Sequence, residues 1–102
     1  MPSTSMELRA ISGLTLRRAM FAVLLRADGP ITAHDVVAEL HAAGVTTPVH
    51  TVKPPVQVVA DMLGYQVRAG RVRRTSRGRY VLVASAMSRS TRHRCLRWRE
   101  RL

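Results

Sequence analysis

Glycine and proline divide the first seventy residues into three segments, each of a length suited to one short helix. The breaks are Gly29-Pro30, Gly44 and Gly70, and the pair Pro54-Pro55 comes just before the third segment. Proline is excluded from a helix interior but is tolerated in the first turn, and glycine commonly follows the last turn. These positions therefore predict three short helices with defined starts and ends.

Apolar residues recur at helical spacing within each of the three segments. In the first segment the recurrence follows Thr15, which we expect to be the N-cap. In the second, Thr32 and Asp35 resemble a capping box. The apolar positions that predict the three buried faces are Leu16, Ala19, Met20, Val23, Leu24 and Ala27, then Val36, Val37 and Leu40, then Val56, Val59, Ala60, Leu63 and Val67.

A β-hairpin is predicted after the third helix. Strands are expected over residues 71–74 and 79–83, around a turn that contains Gly78, and Ile31-Thr32 predicts a brief extended step after the first helix. The expected fold class is α+β and mostly α. We divide the chain into a flexible N-terminal segment over residues 1–13, one domain over 14–84 and an Arg-rich C-terminal tail over 85–102.

Basic charge is concentrated in the last third of the chain. Residues 1–67 contain five basic and five acidic side chains, whereas residues 68–102 contain twelve arginines and one glutamate, so they hold the whole net charge of +11. Solubility requires far less charge, and such segregation costs self-repulsion unless a polyanion is present. It therefore predicts a nucleic-acid or anionic-membrane partner, and a solvated tail in an Arg-rich proteome is the alternative.

Several other classes are excluded by the sequence. The single cysteine, Cys95, cannot form a disulfide framework or a Cys-based zinc cluster, although neighbouring arginines are expected to lower its pKa. The apolar run over residues 19–25 is too short to cross a membrane and lacks a signal cleavage site. There is no metal-ligand spacing, Gly-rich phosphate loop or nucleophile elbow. We expect a cytoplasmic, nucleoid-located protein that is not an enzyme and has no cofactor, metal or evident small-molecule ligand.

The order helix, short strand, helix, helix, hairpin resembles the winged helix-turn-helix domain of bacterial DNA-binding proteins over about two-thirds of the chain. The segments that carry the resemblance are Asp28-Gly29-Pro30-Ile31-Thr32, Arg68-Ala69-Gly70-Arg71-Val72-Arg73-Arg74 and Arg77-Gly78-Arg79-Tyr80. The resemblance implies that the third helix enters the major groove and that the hairpin acts as a wing. A long segment before the third helix and its Pro54-Pro55 pair depart from the family pattern.

The third helix offers candidate base-reading residues. Thr51 and Lys53 are expected near its N-terminus, where free N–H groups favour a phosphate, and Gln57 is expected on its exposed side together with Asp61, Tyr65 and Arg68. Gln57 can contact adenine through two hydrogen bonds, and Lys53 can reach guanine or a phosphate. A plain solvent-exposed helix face is the alternative, and His50 is expected to fill the preceding turn.

Arginines of the hairpin and the tail are the other candidate DNA contacts, since the planar guanidinium suits phosphates and narrow minor grooves. Strand alternation places Arg71 and Arg73 on one face and Val72 and Arg74 on the other. The tail is interpreted as an arm that follows the backbone or the minor groove, and the sequence leaves open whether it is ordered. As a helix it lacks a coherent apolar stripe, which disfavours a membrane-surface helix. Trp98 either stacks on a base or anchors the tail to the domain. The candidates are Arg68, Arg71, Arg73, Arg74, Arg77, Arg79, Arg92, Arg94, Arg97 and Arg99.

Three functional hypotheses follow. The first is a transcriptional regulator that binds a palindromic site as a homodimer, with the first helix and the N-terminal segment as the contact between subunits. The second is a sequence-tolerant, nucleoid-associated architectural protein whose contacts are mostly to phosphates. The third is a winged-helix module that binds a protein or RNA.

Overall fold

The structure, a computed structural model, describes residues 7–48 and 52–98. Its helices are α1 (Gly13–Arg26), α2 (Ala33–Ala42), α3 (Pro55–Arg68) and α4 (Arg89–Trp98). Its strands are β1 (Arg9–Ala10), β2 (Val45–Thr46), β3 (Val72–Ser76) and β4 (Arg79–Leu82), and a single 3₁₀ turn, Ala84–Ala86, precedes α4. The predicted class, α+β and mostly helical, is confirmed.

The helix starts follow local chemistry, with one correction. The predicted capping box of α2 is present: the Thr32 hydroxyl accepts from the Asp35 N–H at 3.1 Å, and the Thr32 N–H donates to the Asp35 carboxylate at 2.9 Å. The expectation that Thr15 caps α1 is wrong, because α1 begins at Gly13 and Ser12 occupies the N-cap position. Thr15 is an exposed residue of the first turn.

The two prolines open α3 as predicted. Pro54 is the N-cap, and its carbonyl accepts from the N–H groups of Gln57 and Val58 at 3.0 and 3.1 Å. Gly70 ends the helix with a φ of 81°, a conformation that glycine adopts without strain. The reversal at Gly70 directs the chain from α3 into the hairpin.

Residues 7–13 are part of the fold, which corrects the expected flexible N-terminal segment over that part of its length. β1 pairs in parallel with β2, since the Arg9 N–H donates to the Gly44 carbonyl and the Ile11 N–H to the Thr46 carbonyl, both at 2.9 Å. Ile11 is buried in the core. The N-terminal segment is therefore held beside the end of α2 by long-range backbone pairing.

The predicted hairpin is formed by β3 and β4, which pair antiparallel. The extended step at Ile31 is also confirmed, because Ile31 forms an isolated antiparallel bridge with Tyr80 of β4. Its N–H donates to the Tyr80 carbonyl at 3.0 Å, and the Tyr80 N–H donates to the Ile31 carbonyl at 2.8 Å. This bridge attaches the hairpin to the segment between α1 and α2.

Part of the C-terminal tail, whose order the sequence left open, is helical and forms α4. This helix packs against α1. Cys95 of α4 and Met87, just before it, are buried in the same core as the first three helices. Residues 99–102 and the side chain of Trp98 lie outside the described part of the structure, so the expectations for Trp98 and Arg99 are not addressed by it.

The centre of the core lies between the first three helices. Its fully buried side chains include Met20 of α1, Leu40 of α2 and Leu63 of α3. Val72 and Tyr80 of the hairpin extend it on one side. The predicted apolar faces thus meet in one core, and the hairpin packs at its edge.

We expect Thr32→Val to lower the free energy of unfolding by about 1 kcal/mol, since it removes the hydroxyl that caps α2. The measurement is urea denaturation followed by circular dichroism. Thr15→Val is the matched control, because Thr15 is exposed and accepts no cap contact, and its change should stay within about 0.5 kcal/mol. Equal losses in the two variants would contradict the role assigned to Thr32.

Candidate nucleic-acid interface

The outer face of α3 carries the polar residues that the helical spacing predicted. Gln57, Asp61, Tyr65 and Arg68 are all exposed, whereas Leu63 is fully buried. Tyr65 retains 58% of its accessible surface, which is high for a large aromatic side chain. The face is therefore available to a partner along its whole length.

Asp61 organises the first half of this face. Its carboxylate accepts from the Lys53 ammonium at 2.7 Å and from the Gln57 side-chain amide at 2.8 Å. The hydrogen bond from Lys53, followed by that from Gln57, lowers the pKa of Asp61 from its ordinary value. Two predicted DNA-contacting side chains thus converge on one anion, which sequence reasoning missed although Gln57 and Asp61 stand at the i, i+4 spacing of helix neighbours.

The hairpin presents four arginines to solvent. Val72 and Tyr80 are buried, and the turn lies beyond them, with Gly78 in the left-handed conformation at a φ of 73°. A bulge at Thr75 shifts the register, so that Ser76 pairs with Arg79. We call the exposed set Arg73, Arg74, Arg77 and Arg79 the hairpin arginines.

Two of the hairpin arginines have defined neighbours. The Arg74 guanidinium lies 5.7 Å from the centre of the Tyr80 ring, on the face that strand alternation predicts, and cation–π attraction holds it there. The pKa of Asp35 is lowered chiefly by the hydrogen bond from the Thr32 backbone N–H and next by the Thr32 side chain. The positive charge of Arg79 lowers it further. The Arg74 guanidinium is therefore supported by a buried ring, and the positive charge of Arg79 acts on the capping box of α2.

Arg71 is not part of this group, although the sequence placed it there. It precedes β3, is half-buried, and donates from its guanidinium to the Gln66 side-chain oxygen at 2.9 Å. Gln66 is only 3% exposed, and its backbone carbonyl accepts from the Arg71 N–H at 3.0 Å. The structure thus gives Arg71 an internal contact that the alternating pattern did not predict, and its contact with DNA stays a prediction.

The arginines of α4 form a second basic surface. Arg89, Arg92, Arg94 and Arg97 are exposed along this helix, which packs against α1. By contrast, α3 packs against α2 and β3. The structure therefore brings Arg68 and the hairpin arginines to elements that touch one another, and places the tail candidates Arg92, Arg94 and Arg97 on a separate helix. The candidate Thr51 and the turn residue His50 lie outside the described residues.

Cys95 is buried between α4 and α1. Burial raises the pKa of its thiol, and the positive charges of Arg18 and Arg17 oppose that effect without outweighing it. The expectation that neighbouring arginines would lower this pKa is corrected, because the sequence did not indicate that the thiol is removed from water. Cys95 serves the fold as a small apolar side chain.

Within residues 7–48 and 52–98, no group of three or more His, Cys, Asp or Glu side chains is placed to hold a metal ion. None of the helices in the same residues has the length and apolar character that crossing a membrane requires. No family model matches the chain, and comparisons with curated proteins and with solved structures find no similar protein.

We expect Arg71→Met to lower the free energy of unfolding by about 1–3 kcal/mol, because it leaves the buried Gln66 side-chain oxygen without its hydrogen bond. Arg73→Met is the matched control two positions along, where the side chain is exposed, and its effect should stay within about 0.5 kcal/mol. Urea denaturation of both variants makes the comparison. A stable Arg71→Met protein would show that the Gln66 contact does not support the fold.

Proposed function

We propose that this chain binds double-stranded DNA as a small winged-helix transcriptional regulator, with α3 in the major groove and the hairpin against phosphates or the minor groove. The order of elements supports the winged-helix assignment. So does the short extended step at Ile31, which lies between α1 and α2 and pairs with Tyr80 of the hairpin. Such binding would place the protein on the nucleoid.

The observation that carries this proposal is the position of the hairpin arginines beside α3. They are exposed, they stand on a hairpin whose first strand packs against α3, and no acidic residue occurs between Asp61 and Glu100. Guanidinium groups bind phosphate through paired, charge-assisted hydrogen bonds, and phosphate contacts supply most of the affinity of DNA-binding proteins. A duplex in contact with α3 would meet these four charges directly.

Base reading would depend on the outer face of α3. Gln57 can pair with adenine, Arg68 with guanine or a phosphate, and the Asp61 carboxylate can accept from the amino group of cytosine. These side chains share one exposed face. That face supports a regulator with some sequence preference.

A specific observation favours the architectural alternative. The Gln57 amide and the Lys53 ammonium already contact Asp61, so reading a base with either requires a change in these hydrogen bonds. Arg73 and Arg77 need no such rearrangement to contact phosphates. A protein with this arrangement would bind many sequences with similar affinity.

The deciding experiment is a DNA-binding titration at several salt concentrations, with a random duplex and with fragments selected from genomic DNA. About six phosphate contacts would give a slope near −5 in a plot of log affinity against log salt. Tight retention of one fragment at high salt supports the regulator, and equal affinity for all fragments supports the architectural protein. Absence of binding to every duplex would overturn both and direct the search to a protein or RNA partner.

We expect Arg77→Ala to weaken binding to all duplexes severalfold at low salt and to reduce the salt slope by about one, because one phosphate contact is lost. The side chain stands at the exposed turn, so folding should not change. Arg26→Ala is the matched control, since Arg26 lies beside the acidic residues Asp28 and Glu39. Equal losses in both variants would show that only the overall charge matters.

We expect Asp61→Asn to strengthen binding to random duplexes severalfold. It removes the single negative charge of the outer face of α3 and releases the Lys53 ammonium from its ion pair. Fluorescence anisotropy with a random duplex measures the change, and Asp28→Asn, which removes the same charge from the loop after α1, is the control. If Asp61→Asn binds no tighter than the control variant, α3 does not face the duplex.

The homodimer remains a prediction, and the surfaces expected for it are partly used within the chain. α4 packs against α1, and β1 pairs with β2. Leu14, at the start of α1, stays 49% exposed, and Arg9 and Ala10 of β1 are also exposed. A dimer formed through these elements would therefore use their exposed residues and not the buried face of α1.

A further inference from the structure

A second basic site lies between α1 and α4, apart from the outer face of α3. A cleft of about 280 Å³ opens there, between the first turns of α1 and the start of α4. Four arginines from three parts of the chain line it: Arg17 and Arg18 of α1, Arg71 before β3, and Arg94 of α4. No residue of α3, β3 or β4 lines it.

The charge of this cleft is not balanced by the residues that the structure describes. Its lining contains no acidic side chain, and none of the four arginines forms an ion pair with a carboxylate of the described residues. Arg71 contacts the neutral Gln66 side chain instead. Several cations around one concave surface repel one another, and a bound anion removes that repulsion.

Two hydroxyl groups at the start of α4 leave one hydroxyl hydrogen able to donate to a ligand in the cleft. The Thr91 N–H donates to the Ser88 hydroxyl oxygen at 3.1 Å, and the Ser88 hydroxyl donates to the Thr91 hydroxyl oxygen at 2.8 Å. Both residues line the cleft. Because the Thr91 oxygen already accepts from Ser88, its own hydrogen is left to donate to a ligand oxygen.

The remaining walls are apolar and uncharged. Phe21 and Met87 are buried beneath the arginines, and Leu14 stands half-exposed at the side. The buried Cys95 thiol also lines the cleft, and its raised pKa keeps it neutral, so that it does not compete with an anion. The cleft thus combines a cationic rim with a small apolar floor.

We propose that this cleft binds a small molecule that carries a phosphate group. Arginine pairs match the oxygens of a phosphate through parallel hydrogen bonds, and Thr91 supplies a further donor. The volume lies at the lower end of the range for small-molecule sites, which limits the occupant to a compact molecule. The cleft uses none of the exposed residues of α3 and none of the hairpin arginines, whereas Arg71 and Arg94 are shared with the candidate DNA contacts.

The test is isothermal titration of the full chain with inorganic pyrophosphate at about 0.15 M NaCl, where distant charges are screened. We expect the double variant Arg18→Gln/Arg94→Gln to bind about tenfold more weakly or worse, since two of the four guanidinium contacts are lost. The matched control is Arg9→Gln/Arg89→Gln, which removes equal charge from exposed residues that do not line the cleft and should bind as the original chain does. Equal weakening in both, no weakening in the cleft variant, or no binding by the original chain would each overturn the proposal.

A second measurement needs no substitution and so does not depend on how the variants fold. Pyrophosphate bound across α1 and α4 should slow the alkylation of Cys95 by N-ethylmaleimide more than about threefold, because it stabilises the closed arrangement that buries the thiol. An unchanged rate at saturating pyrophosphate would contradict the proposal.

Repeating the titration with a saturating short DNA duplex present distinguishes a free phosphate compound from a phosphate of the DNA backbone as the occupant. Unchanged pyrophosphate affinity supports a free small molecule as the occupant. Loss of pyrophosphate binding would assign the cleft to a phosphate of the DNA backbone and overturn the small-molecule assignment. If the chain binds pyrophosphate but no duplex, the phosphate site is supported and the proposed DNA binding is overturned.

Discussion

The pair of backbone hydrogen bonds between Ile31 and Tyr80 determines how the parts of this molecule stand relative to one another. Ile31 follows α1 and leads directly into the capped start of α2, while Tyr80 lies in the middle of β4. This contact joins the hairpin to the helical body on one side, and the packing of β3 against α3 joins it on the other. The contact with Ile31 buries the Tyr80 ring against the core, which in turn supports the Arg74 guanidinium. The orientation of the charged hairpin is set by an uncharged backbone contact.

Elements whose signals are local could be predicted from the sequence. Gly70, the two prolines and the apolar spacing located three helices, and alternation located the hairpin. β1 was missed because a two-residue strand has no period of its own and depends on Gly44 and Thr46, more than thirty positions away. α4 was missed because Cys95, which is buried, is a small residue within an arginine-rich segment and does not produce an apolar stripe.

The sequence predicted which residues belong to the candidate site but not which of their side chains contact one another. The exposed face of α3 followed from helical periodicity, which is a property of the backbone. The grouping of Lys53 with Asp61 and of Arg71 with Gln66 depends on the conformations of long side chains, and these are set by tertiary packing around the helix ends. Sequence reasoning also treated the arginines as one population, whereas the fold distributes them among a hairpin, a helix and a cleft. Long-range packing determines which arginines belong to each of these surfaces, and no local sequence pattern encodes it.

The choice of arginine over lysine and histidine on these surfaces has a thermodynamic consequence. All four hairpin arginines, and all four that line the cleft, carry guanidinium groups, which are planar, hold their donors in a fixed fork and are more weakly hydrated than an ammonium group. An oxyanion that binds such a group displaces less firmly held water than it would from a lysine. Each paired contact also orders fewer side-chain torsions per hydrogen bond formed, so the desolvation and entropy costs of anion association are lower on these surfaces than on lysine-rich ones.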